Sequence, residues 1–132
     1  MKTNRRNFII AATAATASTT LPAMATTKNT YPIVHHVFFW LKNSSSTADR
    51  DKLVEGVKTL SKIETIRELQ VGIVAATEKR DVVDQSWAVS ELMFFDSLEA
   101  QKTYQDHPVH LEFIKNYSHL WEKVVVYDIQ NV

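Results

Sequence analysis

Between residues 31 and 42 apolar side chains crowd both faces of any extended segment. In YPIVHHVFFWLK a period of two sends Val34, His36, Phe38 and Trp40 one way, and Ile33, His35, Val37, Phe39 and Leu41 the other. A strand of this kind needs cover on both sides. A small domain has too few helices to supply both, so the pattern predicts a partner subunit over the second face, with His36 at that interface. The NSSST that follows offers several N-cap oxygens. Leu53, Val57 and Leu60 then recur at helical spacing opposite Lys52, Glu55, Lys58 and Lys62, which predicts an amphipathic helix.

Residues 66–75 (IRELQVGIVA) alternate as a strand, with Gly72 marking a bulge or a close backbone approach. A charged loop, TEKRDVVDQS, leads to a third strand over residues 87–95 (WAVSELMFF). Asp96 and Ser97 cap a short helix over LEAQKTY. Pro108 suits the first position of another, with His107 near its cap and Val109, Phe113 and Tyr117 along one side. KVVVYDI, residues 123–129, closes the series as a strand. The order β-α-β-β-α-β, with its second helix in two pieces, predicts an α+β ferredoxin-like fold: an antiparallel four-stranded sheet with helices on one face.

The front of the chain does not join this pattern. MKTNRRNFIIAATAATASTTLPAMA carries Arg5-Arg6, Phe8, a mild alanine- and threonine-rich run and a small-x-small ending at Ala23-Met24-Ala25. Residues 1–25 therefore read as a secretory signal resembling the bacterial twin-arginine type, and the protein as periplasmic or otherwise exported. The run is broken by threonines and Pro22 and is too short for a membrane anchor. Of the 132 residues, 26–132 remain, enough for one domain. They hold 12 basic against 15 acidic side chains, a net charge of −3, so no basic patch for nucleic acid is expected. The chain has no cysteine, which excludes disulfides, thiolate metal sites and a cysteine nucleophile.

Several of these segments together, HHVFFWLK, Val71-Gly72, Phe95-Asp96-Ser97-Leu98, YQDHPVH at 104–110 and Val126-Tyr127-Asp128, resemble the Dabb family of stress-responsive dimeric α/β-barrel domains. Tyr-x-x-His-Pro-x-His is the most specific part, and the resemblance spans about residues 31–130. It implies a homodimer whose two sheets face each other as a barrel, with a cavity between sheet and helices in each subunit. Some plant members similar to this chain are polyketide cyclases. By that resemblance a tyrosine and a histidine at Tyr104 and His110 would do the chemistry, and His35 would line the pocket. Fold follows from such a match more firmly than reaction.

The chemistry that Tyr104 and His110 can offer is consistent with that implication. Closing a ring onto a carbonyl needs a base to take a proton and a donor to meet the developing oxygen charge; imidazole suits the first role and phenol the second. A helix that breaks at His107-Pro108 lets Tyr104 and His110 converge, with His35 approaching from the sheet. The expected site is therefore Tyr104 and His110 as catalytic residues and His35, His107 and Trp87 as pocket lining. The ligand expected is a small apolar or carbonyl-containing molecule, with no cofactor. His107 also reads as a plain helix cap, and His119 as a surface residue. His107-x-x-His110 has a usable metal spacing, but Pro108 restrains the backbone between them, so no metal site is assigned. No nucleophile elbow or Gly-rich phosphate loop is present. Two main readings remain open, an acid-base enzyme of cyclase, lyase or isomerase type and a non-catalytic ligand-binding or stress-response dimer; a heme- or quinone-directed oxygenase is a third, for which the sequence carries no motif.

Overall fold

The computed structural model of the chain describes residues 13–22 and 30–132. Most of the expected export signal, residues 1–25, lies outside the described residues. Among the described residues no helix is long and apolar enough to cross a membrane.

The first strand, β1 (Ile33–Leu41), runs through the middle of a four-stranded sheet in the order β2-β3-β1-β4, with β2 at Glu68–Ile73, β3 at Val89–Phe95 and β4 at Trp121–Gln130. Every neighbouring pair is antiparallel. Helix α1 (Thr47–Lys58) follows β1, while α2 (Leu98–Asp106) and α3 (Pro108–Tyr117) join β3 to β4. This is the ferredoxin-like arrangement that the alternating segments predict.

The period-two reading of β1 fixes which side the helices cover. Ile33, His35, Val37, Phe39 and Leu41 are all buried, and on β3 the row Val89, Glu91, Met93 and Phe95 is buried beside them. Leu53 and Val57 of α1, Leu60 and Ile63 just after it, and Tyr104 and Phe113 of the later helices close over these rows as one core. Each of the largest apolar members contributes about 1.5–3 kcal/mol by leaving water. Ser46 caps α1 by accepting the Asp49 N–H, and Ser97 caps α2 by accepting from Ala100.

The other sheet face carries no helix. His36, Phe38 and Trp40 on β1 stand there with Leu92 and Phe94 on β3 and Val125, Tyr127 and Ile129 on β4. Tyr127 and Ile129 are exposed and the rest are half-buried.

Three boundaries differ from the sequence pattern. β2 is shorter than residues 66–75, and Gly72 pairs regularly with Ser90, without bulge or positive φ. A Cβ on Gly72 would sit 3.3 Å from the side-chain Oγ of Ser90, and no backbone atom approaches it closely. β3 starts at Val89, because Trp87 turns out of the strand and gives its indole N–H to the Asp84 carbonyl. β4 is longer than residues 123–129, starting at Trp121, where the indole packs on Phe39 and Phe113.

Candidate active site

Pro108 determines the geometry of the site. A proline excludes the preceding residue from helical backbone, and His107 sits at φ −64° and ψ 139°, ending α2 and opening α3 in a single residue. The His107 Nδ1 accepts the Val109 N–H at 3.1 Å, and its Nε2 stands 3.3 Å from a Glu64 carboxylate oxygen. His107 is thus a cap tied to the α1–β2 connection.

The break brings Tyr104, in the last turn of α2, against His110, in the first turn of α3, with ring centroids 4.6 Å apart. His35 approaches from β1 with its ring 5.5 Å from that of Tyr104. All three line a cleft of about 210 Å³ together with Glu91, Phe113 and Trp121. The outer wall is β4, whose Val124 and Val126 face the same side as Val37 and Phe39 but stay exposed, so the cleft opens at the sheet edge.

The hydrogen bonds fix which atoms are free to react. His110 Nδ1 lies 2.9 Å from the Gln105 carbonyl oxygen, which can only accept; Nδ1 therefore carries the hydrogen, and Nε2 keeps its lone pair. Burial lowers the His110 pKa below its ordinary value, with the nearby His35 acting in the same direction, so the neutral base prevails near pH 7. His35 Nδ1 is held 2.5 Å from Asp128 Oδ1 on β4. The Tyr104 hydroxyl is 3.0 Å from Glu91 Oε1, and burial first, then the neighbouring Glu91, pushes the phenol pKa up.

Glu91 and Asp128 are the members of this cluster that the sequence pattern does not single out. Glu91 is 2% exposed, its pKa is raised to about 7 by burial, and its second oxygen, Oε2, is buried without a hydrogen-bond partner. Its signal in the sequence is a carboxylate in phase with Val89, Met93 and Phe95. Trp87 stands elsewhere: it lines a separate cleft of about 280 Å³ with Trp40, Ser46 and Arg50, and its ring packs on Phe38. The structure therefore unites Tyr104, His110 and His35, and leaves His107 and Trp87 outside. Among the described residues no three His, Asp or Glu side chains gather as a metal-binding group.

The profile described as the stress responsive A/B barrel domain, Dabb, matches residues 33–131. No curated protein matches the chain. Among solved structures it is similar to a Dabb family protein with a ferredoxin-like fold from Mesorhizobium loti, at 25% identity over 78% of this chain and 99% of that one, with a TM-score of 0.62. It is similar to the hydroxynitrile lyase from Passiflora edulis, at 24% identity over 78% and 96% of the two chains, TM-score 0.61. A third similar structure is a dimeric protein of unknown function and ferredoxin-like fold from Bacteroides fragilis, at 22% identity over 75% and 95%, TM-score 0.60.

Proposed function

The chain belongs to the stress responsive A/B barrel domain family, and we propose that it is an exported homodimer performing acid-base catalysis on a small carbonyl compound. In this reading His110 Nε2 removes a proton next to the carbonyl, and Tyr104 lies beside the oxygen on which charge develops. His35, held by Asp128, lines the opposite wall. The reaction type is cyclase- or lyase-like, and the hydroxynitrile lyase among the similar structures supports the latter.

One observation carries the reading. The Gln105 carbonyl takes the Nδ1 hydrogen of His110 and so leaves the other ring nitrogen as a base, 4.6 Å ring to ring from Tyr104 in an open cleft. The test is exchange of α-protons of small ketones, acetone and acetophenone among them, for deuterium in the presence of the protein. Exchange above the buffer rate that disappears in His110→Ala is the expected result. Equal exchange with both proteins would remove the catalytic assignment.

Homodimerisation is supported by the helix-free apolar sheet face and by the dimeric Bacteroides fragilis protein. Export rests on Arg5-Arg6 and the ending at Ala25; cell fractionation and the mass of the mature N-terminus test it. The second reading, a non-catalytic ligand-binding dimer, is favoured by the Tyr104 hydroxyl being tied to Glu91 and almost fully buried. It predicts ketone binding without exchange.

A further inference from the structure

The Tyr104 hydroxyl has one hydrogen, and how it is used depends on Glu91. The two side chains meet at 3.0 Å in the wall of the same cleft, and the second Glu91 oxygen is buried without a hydrogen-bond partner. An ionised carboxylate only accepts, so it holds the phenol hydrogen for itself and leaves the pair with nothing to donate. A protonated carboxyl changes the count. Its hydrogen can lie on Oε1 and be given to the phenol oxygen, which releases the phenol hydrogen toward the cleft.

We propose that Glu91 works as a neutral carboxylic acid that positions Tyr104 and gates its donor capacity, so that the cleft recognises an uncharged ligand through an acceptor oxygen. This rests on the acid-base reading above and supplies the donor which that reading requires. Carboxyl, phenol and ligand oxygen form a chain of hydrogen bonds in which Glu91 donates to the Tyr104 oxygen and Tyr104 donates to the ligand, each hydrogen staying on its own oxygen. No net charge enters the core in this arrangement.

The surroundings favour the neutral carboxyl. Glu91 sits between Val37 of β1 and Val71 of β2 in register. From α1 the same core receives Leu53 and Val57. The titratable groups around it are Tyr104 from α2, His110 from α3, His35 from β1 and Asp128, the His35 partner, from β4. None is a lysine or arginine, and both histidines have their Nδ1 engaged elsewhere. Burial without a compensating cation raises the Glu91 pKa to about 7, which makes the gate responsive near neutrality.

The experiment is an infrared titration of the full chain carrying ring-labelled tyrosine, in wild type, Glu91→Gln and Tyr104→Phe. A protonated-carboxyl band falling about tenfold between pH 6 and 8, as a single site titrating near 7 requires, is expected in wild type, together with a tyrosine C–O band that shifts at the same midpoint. Glu91→Gln should lose both changes. Tyr104→Phe should keep the carboxyl band at a shifted frequency, which retains the test if the glutamine variant folds poorly. No titrating band between pH 5 and 9, a band that Glu91→Gln leaves in place, or a tyrosine band indifferent to the carboxyl would each overturn the proposal. No substrate enters this titration, so its failure is separate from failure of ketone exchange. Where exchange is observed, its rate should fall above pH 7 in wild type and hold in Glu91→Gln.

Discussion

His35 Nδ1 and Asp128 Oδ1 lie 2.5 Å apart across directly paired positions of β1 and β4. A carboxylate at that distance fixes the imidazole's ring orientation and holds its hydrogen on Nδ1. Asp128 is largely exposed, so the contact adds little to stability and is screened by solvent. Asp128→Asn is therefore expected to slow ketone exchange by roughly tenfold, through a loosened wall that places the ligand less well, with the melting temperature nearly unchanged. A parallel drop in melting temperature would mark the pair as structural.

Glu91 links the site to stability. Its pKa is about 7 in the folded chain against an ordinary 4.5. Between those values the folded state binds more protons than the unfolded one, so stability is lost as pH rises through the window, and the loss is complete above 7. A shift of this size corresponds to about 3 kcal/mol for a fully buried carboxyl. His110 and His36, both lowered by burial, act in the opposite sense below 6.5, so the Glu91→Gln minus wild-type difference isolates the carboxyl. Denaturant unfolding at fixed protein concentration should show Glu91→Gln gaining on wild type from pH 5 to 8. A pH-independent difference would contradict the assignment.

A different kind of prediction comes from Gly56 in α1. A Cβ there would lie 2.7 Å from ring carbons of Tyr117, which brings α1 and α3 closer than any larger residue allows. Alanine would gain about 1 kcal/mol of helix propensity and lose about 1–3 kcal/mol to overpacking. Gly56→Ala is expected to be destabilising on balance. In a Tyr117→Ala background the same change should become neutral or stabilising, a coupling that a double-mutant cycle measures.

The open sheet face gives the fourth test. Tyr127 stands on it with Phe38, His36 and Val125, and a carboxylate at its centre would resist burial against a second copy. Native mass spectrometry should find a dimer for the wild type and a monomer for Tyr127→Asp. A dimer persisting in Phe38→Asp/Tyr127→Asp would place the interface elsewhere.

Much of this was legible in the sequence where local rules decide. The alternation of β1, the Leu53-Val57-Leu60 spacing and the Pro108 break depend on residues a few positions apart, and they set the sheet face, α1 and the Tyr104–His110 approach. Glu91 was hidden for a physical reason: a charged residue in an alternating strand ordinarily marks the wet face. Here Val89, Met93 and Phe95 outweigh it and take the carboxyl inside, where Tyr104, 13 residues on, meets it. Asp128 is 93 residues from His35, and no local pattern reports that pairing. Trp87 reads as strand, yet it stands ahead of β3 with its indole N–H bonded to the Asp84 carbonyl of the preceding loop.

The β1–β4 pairing has a consequence for how the site comes into being. It joins the first strand to the last, so the cleft lacks its outer wall and His35 its carboxylate until the rest of the chain has been made and threaded into place. Closing a loop of that span is the entropically demanding step of folding such a topology. The strand pair that closes the longest loop is also the opening of the cleft, and substitutions in Val124 to Asp128 should retard maturation and blunt the chemistry together.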